Sequence, residues 1–247
     1  MSYWMVLGFA SLNFLGNFLG TFLGDKLKSS DKVNALALHW AAGMILSVVS
    51  VQIMPKILAG KSNWPLVFSL LFGGMAAIGV HKALEVYQQR KKEKQNGDQQ
   101  SSYRVFSAVI ADLFSDGITI GASSSVSSDF AILVVVGLII GDFPEGFVNM
   151  SIFKEQGLSK KKRYLMALSL ILPVTIGALG TYWIAKDASQ TVKYSFLAFT
   201  VGLYLRAAVE DMIKKGHSKG GESVWQQAFF IFGFVAYLIP VALLSKS

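Results

Sequence analysis

Ala111-Asp112-Leu113-Phe114-Ser115-Asp116-Gly117 and, about two dozen mostly apolar or small residues later, Gly141-Asp142-Phe143-Pro144-Glu145-Gly146 decide the reading of this chain. Each stretch ends in a tetrad of the same design: aromatic, small or proline, acid, glycine. Asp112 and Asp116 are four apart, so on a helix they share a face with about 6 Å between their Cβ atoms. Asp142 and Glu145 are three apart and share a face likewise, with Asn149 one turn further on. An acid in the middle of a membrane helix costs roughly 2.5–3.5 kcal/mol on insertion scales. Acids kept at that cost normally face an interior path and pair with ions, protons or bases. Simple hydration at helix ends is the plainer alternative, but Asp112 and Asp142 fall well inside their apolar runs.

Pro144 adds to this picture. Inside a helix it removes one backbone hydrogen bond and leaves the Ile140 carbonyl without its usual donor. Beside Gly141 and Gly146 this opens backbone oxygens toward a cation, as interrupted helices do at transport sites; a plain packing kink is the other reading. Gly117 and Gly121 give their helix a small-residue edge for a close neighbour.

The composition places these acids in a membrane. Of 247 residues, 53% are hydrophobic and 15% charged, and the mean hydropathy is +0.48. Soluble proteins carry about 25% charged residues. The charges cluster between apolar runs of roughly 20 residues, the length needed to cross a bilayer. The chain, 1–247, is therefore read as a single polytopic membrane domain. The formal charge of +8 then reflects basic loops, and nucleic acid is not an expected partner. No cysteine is present, which excludes disulfides and thiolate ligands. The N-terminus has no basic n-region and no cleavage signal, so it reads as an uncleaved first span.

Eight apolar segments follow: Tyr3–Leu23, Asn34–Met54 (stopping at Pro55), Trp64–Val86, Tyr103–Ser123, Phe130–Phe153, Tyr164–Ala185, Val192–Ile213 and Val224–Leu244. Gly16, Gly20 and Gly24 on the first suit close packing in lipid. The hydrophilic stretch 88–102 reads as a flexible linker. Of the 23 Lys and Arg residues, 17 fall in the loops after spans one, three, five and seven, and 5 on the opposite side, with Arg206 inside span seven. The positive-inside rule then puts both termini outside and the linker in the cytoplasm. The run Lys160–Arg163 serves as a topology determinant or binds anionic lipid. Trp4, Trp40, Trp64, Trp183 and Trp225 all lie near span ends, as an interfacial belt requires.

Eight spans, outward termini, a cytoplasmic linker and paired motifs on spans four and five resemble the ZIP (Zrt/Irt-like) metal transporters. That family typically carries His-Asn-Phe-Pro-Glu-Gly on span four and His-Asn-Ile-Pro-Glu-Gly on span five. Laid on without gaps, Asp112 falls at the first histidine, Leu113 at the asparagine and Asp116 at the acid. On span five Gly141 falls at the histidine, Asp142 at the second polar ligand and Glu145 at the acid. His39–Leu58 resembles the family's second span, Gly157–Lys160 and Ile176–Ala178 its fifth-to-sixth loop and sixth span, and Ala198–Tyr204 the start of its seventh. The resemblance implies a ZIP-like all-α bundle of eight transmembrane helices that moves divalent metal toward the cytoplasm. The departures are specific. Both imidazole positions are gone, and Leu172 stands before Pro173 where the family has a sixth-span acid. One oxygen-rich set remains: Asp112, Asp116, Asp142 and Glu145, with Asn149 as a carbonyl donor. Carboxylates suit harder ions such as manganese, while zinc also accepts them.

Arg206 competes with this reading. It either pairs with Glu210 one turn on or reaches the acids as a fixed counter-cation in place of a second metal. His39, His81 and His217 fall toward the predicted cytoplasmic side, as metal receivers or as ordinary interfacial residues, and Gln52 and His39 are read, with Arg206 and Glu210, as modulators of the site. No phosphate loop, nucleophile triad or zinc-protease motif is present, so neither an enzyme nor a resident cofactor is expected. The chain is read as a multi-pass transporter of Zn/Fe/Mn-type ions in the cell membrane. Its expected partners are the cation, lipids and, in a homodimer, a second copy. The alternative is a transport-dead ZIP-like sensor or scaffold whose acids are neutralised by Arg206 or protons.

Overall fold

In lipid every backbone polar group must be satisfied within its own segment, and helices do that. The computed structural model describes residues 1–59, 64–92 and 97–244, and among them every regular element is helical. Helix α1 is Tyr3–Lys26; α2 is Asp31–Ser47, continued by a π turn Val48–Ile53 and by α3, Met54–Leu58. Then come α4 (Trp64–Lys92), α5 (Gly97–Val126), α6 (Ser128–Glu155), α7 (Lys160–Ser169) and α8 (Ile171–Ala185). Last are α9 (Gln190–Arg206), a second π turn Ala207–Ile213, α10 (Lys214–Gly220) and α11 (Val224–Leu244). Serines set many of the starts. Ser2, Ser30, Ser127, Ser159 and Ser189 each accept the backbone N–H three residues on, satisfying a donor the helix itself leaves open.

Among the described residues, seven helices are long and apolar enough to cross a membrane, and they match seven of the eight expected segments. The remaining segment, Val192–Ile213, is helical but carries Lys193, Arg206, Glu210 and Asp211, and it divides into α9 and the second π turn. From the sequence the second span is expected to stop at Pro55, but the helix runs on to Leu58. A proline has no N–H and its ring collides with the carbonyl four residues back. Here the preceding turn is widened, with Met54 N–H bonding the Val49 carbonyl five residues back, which relieves that collision. Pro144, by contrast, sits inside a continuous α6. Helix also enters the expected linker from both sides, to Lys92 and from Gly97, and residues 93–96 of it lie outside the described residues.

The helices associate in pairs: α1 with α6, α5 with α8, α2 with α11, and α4 with α9. Each pair is closed by glycines from both partners. A Cβ on Gly20 would stand 1.8 Å from the Phe143 carbonyl oxygen, and one on Gly146 2.0 Å from that of Asn17. Gly117 and Gly177, Gly43 and Gly233, and Gly73 and Gly202 do the same in the other three pairs. Without a hydrophobic drive between helices in lipid, backbone approach and dispersion supply the association.

One end of the bundle is fastened by charge. Arg163 meets Asp25 at 2.6 Å and Tyr164 donates to the same carboxylate at 3.1 Å. Lys154 caps α1 by donating to the carbonyls of Gly24, Asp25 and Leu27 at 2.9–3.1 Å, a favourable use of a cation at a helix C-terminus.

Candidate metal site

Helices α5 and α6 cross so that their four acids come together. The Asp112 carboxyl lies against that of Glu145, and the Asp116 carboxyl against that of Asp142. Asp116, Asp142 and Glu145 are buried; Asp112 is partly exposed to internal cavities. Oδ2 of Asp116, Oδ2 of Asp142 and Oε1 of Glu145 are buried with no hydrogen-bond partner. Such atoms are costly to bury. Among the described residues no three acids or imidazoles stand in a ready coordination sphere; the acids face one another two by two.

Other helices hold them there. Tyr204, fully buried on α9, donates to Asp116 Oδ1 at 2.8 Å, and Thr119 Oγ1 lies 2.8 Å from the Tyr204 hydroxyl. Asn13 on α1 lies beside Asp116 and Asp142, yet neither end of its amide makes a well-formed hydrogen bond. A carboxamide that supplies an oxygen and two N–H donors can serve either an ion or a protonated acid. Gly141, at the position of the family's second imidazole, faces Met44: a Cβ there would meet its Cγ at 3.3 Å.

Two cavities flank the cluster. One of about 50 Å³ is lined by Asp112, Glu145, Asn149, Asp211 and Lys215. The other, about 270 Å³, is lined by Asp112, Tyr204, Arg206, Asp211 and His81. Asp112 and Asp211 border both. Asn149 lines the smaller cavity together with Asp112 and Glu145.

Arg206 is placed differently from either expectation. Its Nη1 donates to Asp211, while Glu210 pairs with Lys214 at 2.8 Å. The reason is the π turn, whose i→i+5 register brings the fifth residue, not the fourth, over Arg206. The arginine acts on Asp112 only through its field and does not occupy the acid cluster. Gln52 sits half-buried on the first π turn, and no hydrogen bond links it to the acids. His39 packs against His217 instead. Three contributors were not anticipated: Asn13, Tyr204 and Asp211. Asn13 was readable, with Asn17 four residues on, as an amide in an apolar span; the π turn that recruits Asp211 leaves no comparable trace.

Residues 79–239 match the family model described as ZIP zinc transporter. A zinc transporter of Caenorhabditis elegans, zipt-7.2, is 26% identical over 212 residues, which cover 82% of this chain and 46% of the relative. The chain thus spans about half the length of that relative.

Proposed function

Because the chain belongs to the ZIP zinc transporter family, we propose that it carries a divalent metal cation across the membrane through the acid cluster on α5 and α6. The observation that carries this is the set of three buried carboxylate oxygens without hydrogen-bond partners, from Asp116, Asp142 and Glu145. An ion that sheds part of its water needs oxygens of that kind. Asp112, Asp116, Asp142 and Glu145 are the ligands, with Asn149 as a carbonyl donor on the side of the smaller cavity. Two ionised carboxylates balance a divalent ion, so the remaining charge of the four is carried by protons. All-oxygen ligation accepts zinc and suits manganese and ferrous iron.

Val192–Ile213 is the eighth span, both termini lie outside, and the hydrophilic stretch after span three lies in the cytoplasm of a cell-membrane protein. The basic loops support that orientation. Transport runs inward, driven by the gradient or potential. The helix pairs group into two sets, α1–α6 with α5–α8 and α2–α11 with α4–α9, and one set moves against the other to expose the acids to alternate sides. The outward apolar residues of α4 and α11, among them Phe68, Phe72, Trp225 and Leu243, meet lipid or a second copy of the chain. Blocking of the cluster by Arg206 is disfavoured by the arginine's pairing with Asp211.

The test compares cell-associated Mn, Fe, Co and Zn with and without expression of the protein. Accumulation of at least one metal, abolished by Asp116→Ala plus Glu145→Ala, is expected. Unchanged levels of every metal, or accumulation that survives both substitutions, would leave the sensor or scaffold reading.

A further inference from the structure

We propose that His39 and His217 form a second cation site, built of nitrogen donors and separate from the acid cluster, at the end of the bundle that carries α10. His39 is only 3% exposed, and its Nδ1 lies 2.7 Å from the Ala35 carbonyl. A carbonyl can only accept, so Nδ1 carries the proton and, in the neutral ring, Nε2 keeps its lone pair. That arrangement orients and strengthens an imidazole as a metal ligand. Nε2 is buried and has no hydrogen-bond partner. The half-buried ring of His217 lies beside the His39 ring, with centroids 4.9 Å apart and planes at 43°.

The local backbone is shaped around His39. A Cβ on Gly216 would come within 2.6 Å of the His39 Cε1, so glycine there leaves the imidazole its place. Lys219, two residues beyond His217, is held by Asp31 at 3.1 Å and Glu155 at 3.3 Å, which balances its charge. Two imidazoles with water in the remaining positions suit borderline d-block ions such as zinc, cobalt or copper, in contrast to the all-oxygen cluster. Leu38 and Lys215, close to the pair in the chain, line the smaller cavity together with Asp112 and Glu145. We place the imidazoles after the acids for an ion that leaves on that side. That order of encounter rests on the transport reading; the ligand pair does not.

The test is zinc X-ray absorption on the purified full-length chain loaded with Zn²⁺, where imidazole ligands give their own outer-shell scattering. The imidazole signal is expected in the unsubstituted protein and also in the Asp116→Ala plus Glu145→Ala variant. His217→Ala, a change at a half-buried position, is expected to abolish it, and so is His39→Asn, whereas His81→Ala retains it. Absence of the signal from the unsubstituted protein, its persistence in His217→Ala, or its loss in His81→Ala alone overturns the proposal. Failure of metal accumulation in cells with the imidazole signal intact would strike the transport reading and leave this site standing.

Discussion

Tyr204 on α9 gives its single hydroxyl proton to Asp116 on α5 at 2.8 Å, tying these two helices together at the acid cluster. A hydrogen bond to a charged acceptor contributes roughly 1.5–3 kcal/mol. Tyr204→Phe keeps the ring and removes the donor. Metal accumulation is expected to fall severalfold, with thermal stability in detergent lowered by no more than that bond. Accumulation at the original level would mean that the hydroxyl does not position Asp116 for the ion.

Arg206 spends its charge on Asp211, not on the cluster. A partly exposed pair of this kind is worth up to about 1 kcal/mol. Arg206→Ala should therefore shift metal affinity, read by calorimetry, by no more than about fivefold, since 1.4 kcal/mol corresponds to tenfold. A much larger gain in affinity would show that the guanidinium competes with the ion after all.

The α1–α6 contact has no spare room at Gly20, where a Cβ would lie 1.8 Å from the Phe143 carbonyl. Gly20→Ala forces the helices apart at the level of the Pro144 turn. Overpacking of this kind costs typically 1–3 kcal/mol, and because Asn13 and the acids of α6 meet across the same interface, accumulation should drop as well. Gly8→Ala on the same helix meets nothing within 4 Å and should behave as the unsubstituted protein in both assays.

Asp25 gathers Arg163 and Tyr164, and its side chain is only 6% exposed. Asp25→Ala leaves the guanidinium without its carboxylate while Lys154 still caps α1 through carbonyls. A loss of roughly 1.5–3 kcal/mol is expected from the charged hydrogen bonds, measured as a lower unfolding temperature. No change would place this corner among the exposed pairs that contribute little.

The helical class, seven of the spans and the four converging acids were legible from apolar runs and from acids three and four apart. So were the glycine edges at Gly16, Gly20, Gly24, Gly117 and Gly121, because small residues every fourth position can face only one neighbour. In the other two pairs Gly43, Gly202 and Gly233 stand singly and Gly73 has only Gly74 beside it, so no repeat marks them and only packing reveals them. Pro55 and Arg206 misled for one shared reason. Spacing rules assume the 3.6-residue turn, and both residues adjoin stretches wound more widely. Tyr204 reaches Asp116 from a distant helix, a relation that no local pattern encodes.

The second of those wide turns also fixes what a length change would do. A π turn holds one residue more than the α-helical path it replaces, and each residue of an α-helix turns it by about 100°. Tyr204 precedes the turn and His217 follows it. Deleting Val209 alone would remove the extra residue together with the wide turn and leave His217 near its present face, whereas deleting Lys214, in the ordinary helix beyond the turn, would swing His217 by about a quarter of a revolution while Tyr204 stayed on Asp116. Alignment of the acids with one wall of the bundle and of the imidazoles with another is therefore set by the length of ordinary helix between them, and a single-residue deletion outside the wide turn would separate the two without touching a ligand.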